Sequence, residues 1–432
     1  WAIAASVGVF GSSPWAARLP IALSYLLCIW LIGRLARRLV PGSEVEAAIV
    51  YATMLLPFGA SQLITTDYLL TACLTLGVWG FVEARFGRHP HPSRWIALTW
   101  AGLALGFLAK GPPALLPLLV MAAFDWLSPR QRTHRLFDAA GLLLFALLAL
   151  PWFVAVIHGN PGLFEYFIGD EVINRVTTQE FGRHGEWYGW AEIYLPTLLV
   201  GSLPWTPALL RWARALPARL GAWRADADAR ADDAAWLLLA LWLLLPLLVF
   251  CLARSRMPLY LLPLFAPLAL LASKQRHAEG RALPRWPWLA AWAALLLALK
   301  LGSAAWPTHK DAAAWADAIR ARSDAPVHEV VFVEDMARYG LHLHLGPGTI
   351  IEKVSLQDLP QARFNPQYDE ALATELAEDE PGEIWICKQR DWPALRQGLA
   401  AHGYRALPLG APYQRRMIFR VAPLAPANRN LR

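Results

Sequence analysis

Residues 235–253 read AWLLLALWLLLPLLVFCLA and contain no charged side chain. At about 1.5 Å per residue, a helix of this length covers nearly all of a hydrocarbon layer roughly 30 Å thick. A helix suits such a layer because its backbone N–H and C=O groups find their partners within the segment. The stretch therefore predicts a membrane-spanning helix.

The chain as a whole has the composition of a membrane protein. Of its 432 residues, 56% are hydrophobic and 17% are charged, and 22 are tryptophan. Comparable apolar blocks recur through residues 1–306, which we interpret as a transmembrane domain of about ten helices. The predicted helices are 15–33, 45–63, 68–84, 95–109, 113–127, 136–157, 191–210, 235–253, 257–273 and 286–306.

Basic residues cluster in every second loop between these predicted helices. The positive-inside rule makes those loops cytoplasmic, so both visible ends of the chain and a large loop at 158–190 are expected outside the cytoplasm. The formal net charge of +7 comes from these scattered clusters and not from one basic face. This distribution argues against nucleic acid as a partner.

Residues 307–432 are more polar and contain three β-like runs, at 329–334, 383–388 and 416–421, with helical stretches between them. This pattern predicts a small external α/β domain. Within it, His342 and His344 alternate on a predicted strand, but no clear third ligand accompanies them. The four cysteines have no spacing typical of a metal site or a disulfide framework.

Lys110 stands out in GFLAKGPPAL, residues 106–115, where it separates two apolar runs. The glycine and two prolines that follow it should break the helix, which places Lys110 at the outer tip of a hairpin of two short helices. A lysine at the membrane centre would cost about 2.5–3.5 kcal/mol, and much less near an interface. At that tip, Lys110 is a candidate ligand for an anion.

Further charged and polar residues are predicted on the same outer face: Asp67, Arg175, Arg256 and Tyr260. Lysine and arginine suit phosphate oxygens, and a carboxylate can position a hydroxyl group or accept its proton. Each residue also has a purely structural alternative. The cations can act as interfacial anchors, Asp67 as a helix cap and Tyr260 as part of an aromatic belt. The pair Asp226 and Asp228 mimics a nucleotide-sugar motif, but we interpret it as a solvated cytoplasmic linker.

Five separated stretches resemble, in the same order, the bacterial aminoarabinose transferase ArnT and its relatives. These enzymes belong to the GT-C glycosyltransferase superfamily, together with protein O-mannosyltransferases. The stretches are FGSSPWAARLP (10–20), GFLAKGPPAL (106–115), NPGLFEYFIGDEVINR (160–175), GSLPW (201–205) and SRMPLYLLPLFAPLALL (255–271). The resemblance covers nearly all of the membrane part, whereas the C-terminal domain matches only in position and size.

This resemblance implies an α-helical multi-pass protein of the GT-C type in the bacterial inner membrane, with its active site and C-terminal α/β domain in the periplasm. It also implies transfer of a sugar from an undecaprenyl-phosphate carrier to an acceptor, with 4-amino-4-deoxy-L-arabinose and lipid A as the expected pair. By the same resemblance, Lys110 and Arg175 serve the carrier phosphate and Asp67 and Tyr260 line the cavity. Arg256 replaces the family's usual lysine and keeps its charge.

Two departures from the family bear on catalysis. The usual Glu-His pair reads Glu171 and Val172 here, so either the metal-binding histidine is absent or His184 substitutes for it, which leaves a divalent metal cofactor open. The family's catalytic aspartate lies in the first external loop, upstream of the segment that begins here at Trp1. The resemblance therefore implies that a protein beginning at Trp1 lacks its catalytic acid and is incomplete for catalysis.

Two other functions stay open at this point. A protein O-mannosyltransferase-like enzyme would use the same chemistry on a polypeptide acceptor. A lipid or polyprenol transporter would instead line a pathway with these charges. Transporters often contain internal repeats and helices broken near the membrane midplane, and the sequence has no visible repeat.

Overall fold

The computed structural model describes residues 1–169, 186–306, 308, 310–357, 368–378 and 382–424. The chain divides into two compact units. One is Arg18–Ala304, and the other combines Trp1–Ala17 with Ala305–Arg432.

The membrane part is built from helices. In chain order these are α1 (Ala2–Phe10), α2 (Pro14–Leu39), α3 (Glu44–Thr53), α4 (Leu55–Ala60), α5 (Thr66–Phe86), α6 (Pro92–Lys110), α7 (Leu116–Leu127), α8 (Ala139–Gly159), α9 (Leu163–Glu165), α10 (Gly189–Gly201), α11 (Thr206–Ala225), α12 (Ala227–Asp232), α13 (Ala234–Leu252), α14 (Phe265–Ala278) and α15 (Trp286–Ala305). Short 3-10 helices at Pro112–Leu115 and Pro258–Leu264 precede α7 and α14.

Five helices within the described ranges are long and apolar enough to cross a membrane: α2, α5, α8, α13 and α15. The pair α10 and α11 would make a sixth span, but it is bent by 119°. All ten predicted segments contain helix, but two of them are interrupted: 45–63 between α3 and α4 at Met54, and 191–210 at the bend between α10 and α11. The number of crossings and their orientation therefore stay predictions.

Helix α5 is almost completely buried from Asp67 to Arg85 and packs closely against α6. The close approach depends on glycine, because a Cβ atom on Gly102 would lie only 2.6 Å from the backbone nitrogen of Gly77. Small residues allow this kind of backbone-to-backbone packing between membrane helices. The packing aligns the N-terminal end of α5 with the C-terminal end of α6.

Replacing Gly102 by valine should therefore destabilise the protein by about 2–3 kcal/mol, since the contacting backbone cannot move aside as a side chain could. Thermal unfolding in mild detergent would measure the loss. Gly221 in α11 is a suitable control, because a Cβ atom added there would have nothing within 4 Å of it. The same substitution there should change stability by less than about 1 kcal/mol. Equal unfolding temperatures for Gly102→Val and wild type would contradict this account of the packing.

Buried ion pairs hold the opposite end of α5. Arg85 donates two hydrogen bonds, of 2.7 and 2.6 Å, to the two carboxylate oxygens of Asp125 in α7. Arg38 of α2 donates a hydrogen bond of 2.9 Å to Glu83. Arg85 and Arg38 belong to the basic clusters that follow predicted membrane helices, and the structure shows that both side chains connect helices.

The C-terminal unit contains a six-stranded sheet in the order β3-β2-β1-β4-β6-β5. Its further elements are α16 (Ala312–Arg320), β1 (Glu329–Val333), α17 (His342–Leu345), β2 (Ile350–Ser355), β3 (Glu370–Ala371), α18 (Leu372–Glu378), β4 (Glu383–Lys388), α19 (Trp392–Ala401), β5 (Tyr404–Pro408) and β6 (Arg416–Pro423). Strands β3, β2, β1 and β4 are parallel, and β6 runs antiparallel to both β4 and β5.

Apolar side chains cover both faces of this sheet. Trp315 and Ile319 of α16 pack on one face, and Leu376 of α18 and Leu395 of α19 pack on the other. The predicted α/β fold and its three strands are thus confirmed as β1, β4 and β6. The predicted strand through His342 and His344 is wrong, because both residues lie in the short helix α17.

Candidate active site

Lys110 and Asp67 form the centre of the candidate site. Lys110 is the last residue of α6, where Gly111 adopts a positive φ of 70° and the two following prolines prevent the helix from continuing. Its ammonium group donates a hydrogen bond to Asp67, the second residue of α5. The Asp67 side chain is 9% exposed and that of Lys110 is 22% exposed.

This ion pair bears on the alternatives left open by the sequence. A snorkelling anchor would extend its ammonium group into water, whereas Lys110 is directed to a buried carboxylate. Likewise, no side-chain cap hydrogen bond forms at the N-terminus of α5, and Asp67 accepts its hydrogen bond from another helix. The geometry therefore favours a role for both residues beyond anchoring and capping.

Tyr260 completes this cluster. It lies in the 3-10 helix Pro258–Leu264, and its ring centroid is 5.0 Å from Lys110 Nζ. An aromatic face at this distance attracts an ammonium group through its quadrupole. The structure thus brings together three residues that the sequence placed on one outer face, from three different helical segments.

Arg256 is also buried, and two backbone carbonyls accept its hydrogen bonds. Its guanidinium group donates hydrogen bonds of 2.7 Å to Glu186 O and 3.1 Å to Cys251 O. Through these bonds, Arg256 connects Glu186, just before α10, with Cys251 near the end of α13. In this arrangement Arg256 holds the backbone around the site.

Tyr194 was missed by the sequence analysis. It lies in α10, is 1% exposed, and its helix contacts the 3-10 helix that carries Tyr260. Its hydroxyl group has no hydrogen-bond partner among the described residues. In the sequence, the only indication of a role for Tyr194 was a hydroxyl group within the apolar run 191–210. The fold is needed to show that Tyr194 lies near the other site residues.

Arg175, Glu171 and His184 lie outside the described residues, so their predicted roles stay predictions. In the described part of Arg18–Ala304, no three His, Cys, Asp or Glu side chains come close enough together to hold a metal ion. The described site combines a cation, a carboxylate and an aromatic ring. Lys110 carries three N–H donors, of which Asp67 accepts one, and a phosphate group could accept the others.

Comparisons with known proteins agree with this architecture. Residues 1–158 match the family described as dolichyl-phosphate-mannose-protein mannosyltransferase. The chain is 33% identical over 273 residues to the undecaprenyl phosphate-alpha-4-amino-4-deoxy-L-arabinose arabinosyl transferase of Erwinia tasmaniensis, covering 61% of this chain and 46% of that protein. It is 33% identical over 282 residues to the protein of the same name from Pseudomonas aeruginosa strain LESB58, covering 63% of this chain and 47% of the other. The chain thus spans about half the length of the curated relatives it matches.

Among solved structures, the chain is similar to ArnT from Cupriavidus metallidurans bound to undecaprenyl phosphate. The TM-score is 0.65 at 20% identity, and the match covers 97% of this chain and 86% of that one. The apo form of the same protein gives a TM-score of 0.66 at 19% identity. The chain therefore has the fold of ArnT, with helices that can cross a membrane followed by a small C-terminal α/β domain.

Proposed function

We propose that the protein is an integral-membrane glycosyltransferase that moves a sugar from a polyprenyl-phosphate carrier to an acceptor on the periplasmic side of the bacterial inner membrane. The proposed acceptor is lipid A and the proposed sugar is 4-amino-4-deoxy-L-arabinose. The observation that carries the proposal is the Lys110 cluster. It presents a cation beside a buried carboxylate and an aromatic ring, and among the described residues only Asp67 accepts a hydrogen bond from it. The names of the relatives from Erwinia and Pseudomonas support the choice of substrates.

In the proposed reaction, the acceptor hydroxyl oxygen forms a bond to the anomeric carbon of the sugar. The bond from that carbon to the phosphate oxygen breaks, and the polyprenyl phosphate leaves with the electron pair. Lys110 stabilises the negative charge that develops on the phosphate, and Asp67 fixes the direction of the ammonium group. A carboxylate accepts the proton of the hydroxyl group. By the resemblance, Arg175 acts with Lys110 on the phosphate.

Two further features support a lipid-linked donor. The candidate site lies at helix ends within a unit whose helices are long and apolar enough to cross a membrane, so a polyprenyl chain could remain in lipid while its phosphate reaches Lys110. A nucleotide-sugar site at Asp226 and Asp228 has no support, because Asp226 caps α12 and Asp228 pairs with Arg130.

Mass spectrometry of lipid A and of periplasmic proteins would test the proposal, with cells expressing the complete gene compared with cells carrying an empty vector. We expect lipid A to gain the mass of an aminopentose. A hexose on periplasmic proteins would instead support a protein O-mannosyltransferase, for which the family match over residues 1–158 is the favouring observation. Transfer to neither acceptor would contradict both enzymatic proposals and favour the transporter.

A further inference from the structure

Five glutamates of the C-terminal sheet and its covering helix come together although they are far apart in sequence. Strand register aligns Glu329 of β1 directly with Glu383 of β4. Glu352 of β2 is aligned with Val331, two residues after Glu329, and Glu370 of β3 is aligned with Val354 of β2. Because side chains alternate along a strand, all four carboxylates project from one face of the sheet.

The fifth glutamate, Glu375, reaches this face from α18. It lies between Leu372 and Leu376, which pack on the same face against Val331 and Trp385. Carboxylate oxygens of Glu329, Glu375 and Glu383 lie within 4.8 Å of one another, as do those of Glu352, Glu370 and Glu375. Glu375 is therefore common to two groups of three carboxylates.

Burying several carboxylates side by side costs free energy unless a positive charge lies among them. Glu375 is 2% exposed, and neither of its carboxylate oxygens has a hydrogen-bond partner among the described residues. Buried charges in proteins are normally paired or coordinate a metal ion, and like charges opposite each other in a sheet are destabilising. Among the described residues, the buried carboxylate of Glu375 thus has no hydrogen-bond partner, and it points towards the carboxylates of the other four glutamates.

Asp335 in the same domain provides the contrast. Its side chain is 2% exposed, but Arg416 donates a hydrogen bond of 2.6 Å to it, and Arg338 and Lys388 lie within 3.3 and 3.7 Å. Burial alone would raise the pKa of Asp335, and its hydrogen bonds with Arg416 and the Met336 backbone, with the charge of Arg338, lower it instead. For Glu375, burial, Glu370 and the other nearby carboxylates all act in one direction and raise the pKa to about 10.

We propose that Glu375, with Glu329, Glu352, Glu370 and Glu383, forms a binding site for a hard divalent cation, with Ca²⁺ as the best fit. Calcium binds six to eight oxygen ligands at about 2.3–2.6 Å, so two ligand oxygens on opposite sides of the ion are roughly 5 Å apart. The observed spacing of 4.8 Å or less fits this geometry. Cation binding connects α18 to β1, β2, β3 and β4. The inference is independent of the transferase activity.

Terbium luminescence provides a direct test on the purified full chain after treatment with a chelator. Tb³⁺ takes the same oxygen ligands as Ca²⁺ and emits when a nearby tryptophan is excited. Trp385 is suitably placed, because its indole N–H donates a hydrogen bond of 2.8 Å to Glu383. We expect sensitised emission that Ca²⁺ displaces, and a reduction in emission in Trp385→Phe.

The decisive variant is Glu375→Gln, which keeps the shape of the side chain and removes its charge. It should raise the Tb³⁺ concentration at half-saturation at least tenfold and abolish the increase in unfolding temperature that Ca²⁺ gives the wild type. Glu378→Gln is the matched control, since this exposed residue lies on the same helix but outside both carboxylate groups. It should behave as wild type.

The proposal is overturned if Glu375→Gln and wild type bind Tb³⁺ equally, or if Ca²⁺ leaves the wild-type unfolding temperature unchanged. In that case Glu375 is a protonated buried carboxyl group, and the glutamine variant should be at least as stable as wild type. Should Glu375→Gln fail to fold, Glu370→Gln on the edge strand β3 serves as the second variant, with the same loss of Tb³⁺ affinity expected.

Discussion

Replacement of Lys110 by alanine in the complete protein is expected to lower the rate of sugar transfer by about 10²- to 10³-fold. This is the loss usually seen when one group that stabilises developing negative charge is removed from an active site. Lys110 pairs with Asp67 and faces the Tyr260 ring, and the proposed leaving group gains negative charge as the glycosidic bond breaks. The rate is measured as the initial velocity of sugar transfer from polyprenyl-phosphate donor in membranes with matched amounts of each variant.

The control for this experiment is Lys300→Ala, because Lys300 is an exposed lysine of α15. It should transfer sugar at the wild-type rate. Lys110→Arg keeps the charge but exchanges a compact ammonium group for a planar guanidinium group, so it should recover only part of the activity. Near-normal transfer by Lys110→Ala would exclude Lys110 from phosphate stabilisation.

Breaking the pair between Arg85 and Asp125 is expected to cost about 3–5 kcal/mol of stability. The Arg85 side chain is completely buried and that of Asp125 is 10% exposed. Removing either partner leaves the other charge buried without its counterion, which costs more than the pair itself contributes. The unfolding temperature in mild detergent should therefore decrease strongly in both Arg85→Ala and Asp125→Ala.

A double replacement distinguishes the effect of the two charges on stability from the effect of side-chain packing. Arg85→Met combined with Asp125→Leu removes both charges and keeps most of the volume, so it should be much more stable than either single variant. The exposed pair between Arg130 and Asp228 is the control, and Asp228→Ala should cost less than about 1 kcal/mol. If the double variant were no more stable than the single alanine variants, the pair would not be the source of the stability.

The position of Lys110 could be predicted because its causes are local. Gly111 and the two prolines after it end α6 whatever the rest of the chain does. The partner of Lys110 could not be predicted, since Asp67 is 43 residues away and meets it only through the packing of α5 on α6. The same applies to Tyr194, which is one tyrosine in an apolar run until the fold places it beside Tyr260.

The C-terminal strands also include some that the sequence predicts and some that it does not. β1 and β4 are continuous apolar runs and were recognised, whereas β3 has only two residues and β5 includes a proline, which weakens any strand pattern. Apolar length alone also overestimated the regularity of the membrane helices. It does not show where a span is interrupted, as at Met54, or where a pair of helices bends.

The two ends of α5 are each fastened to a neighbouring helix, Asp67 to α6 through Lys110 and Arg85 to α7 through Asp125. A shift of α5 by a single residue along its axis, about 1.5 Å, would strain both ion pairs at once. We therefore expect α5, α6 and α7 to keep their relative positions. If the proposed lipid carrier requires the protein to move, that movement is expected in the segments around these three helices, and Lys110 is expected to keep its position.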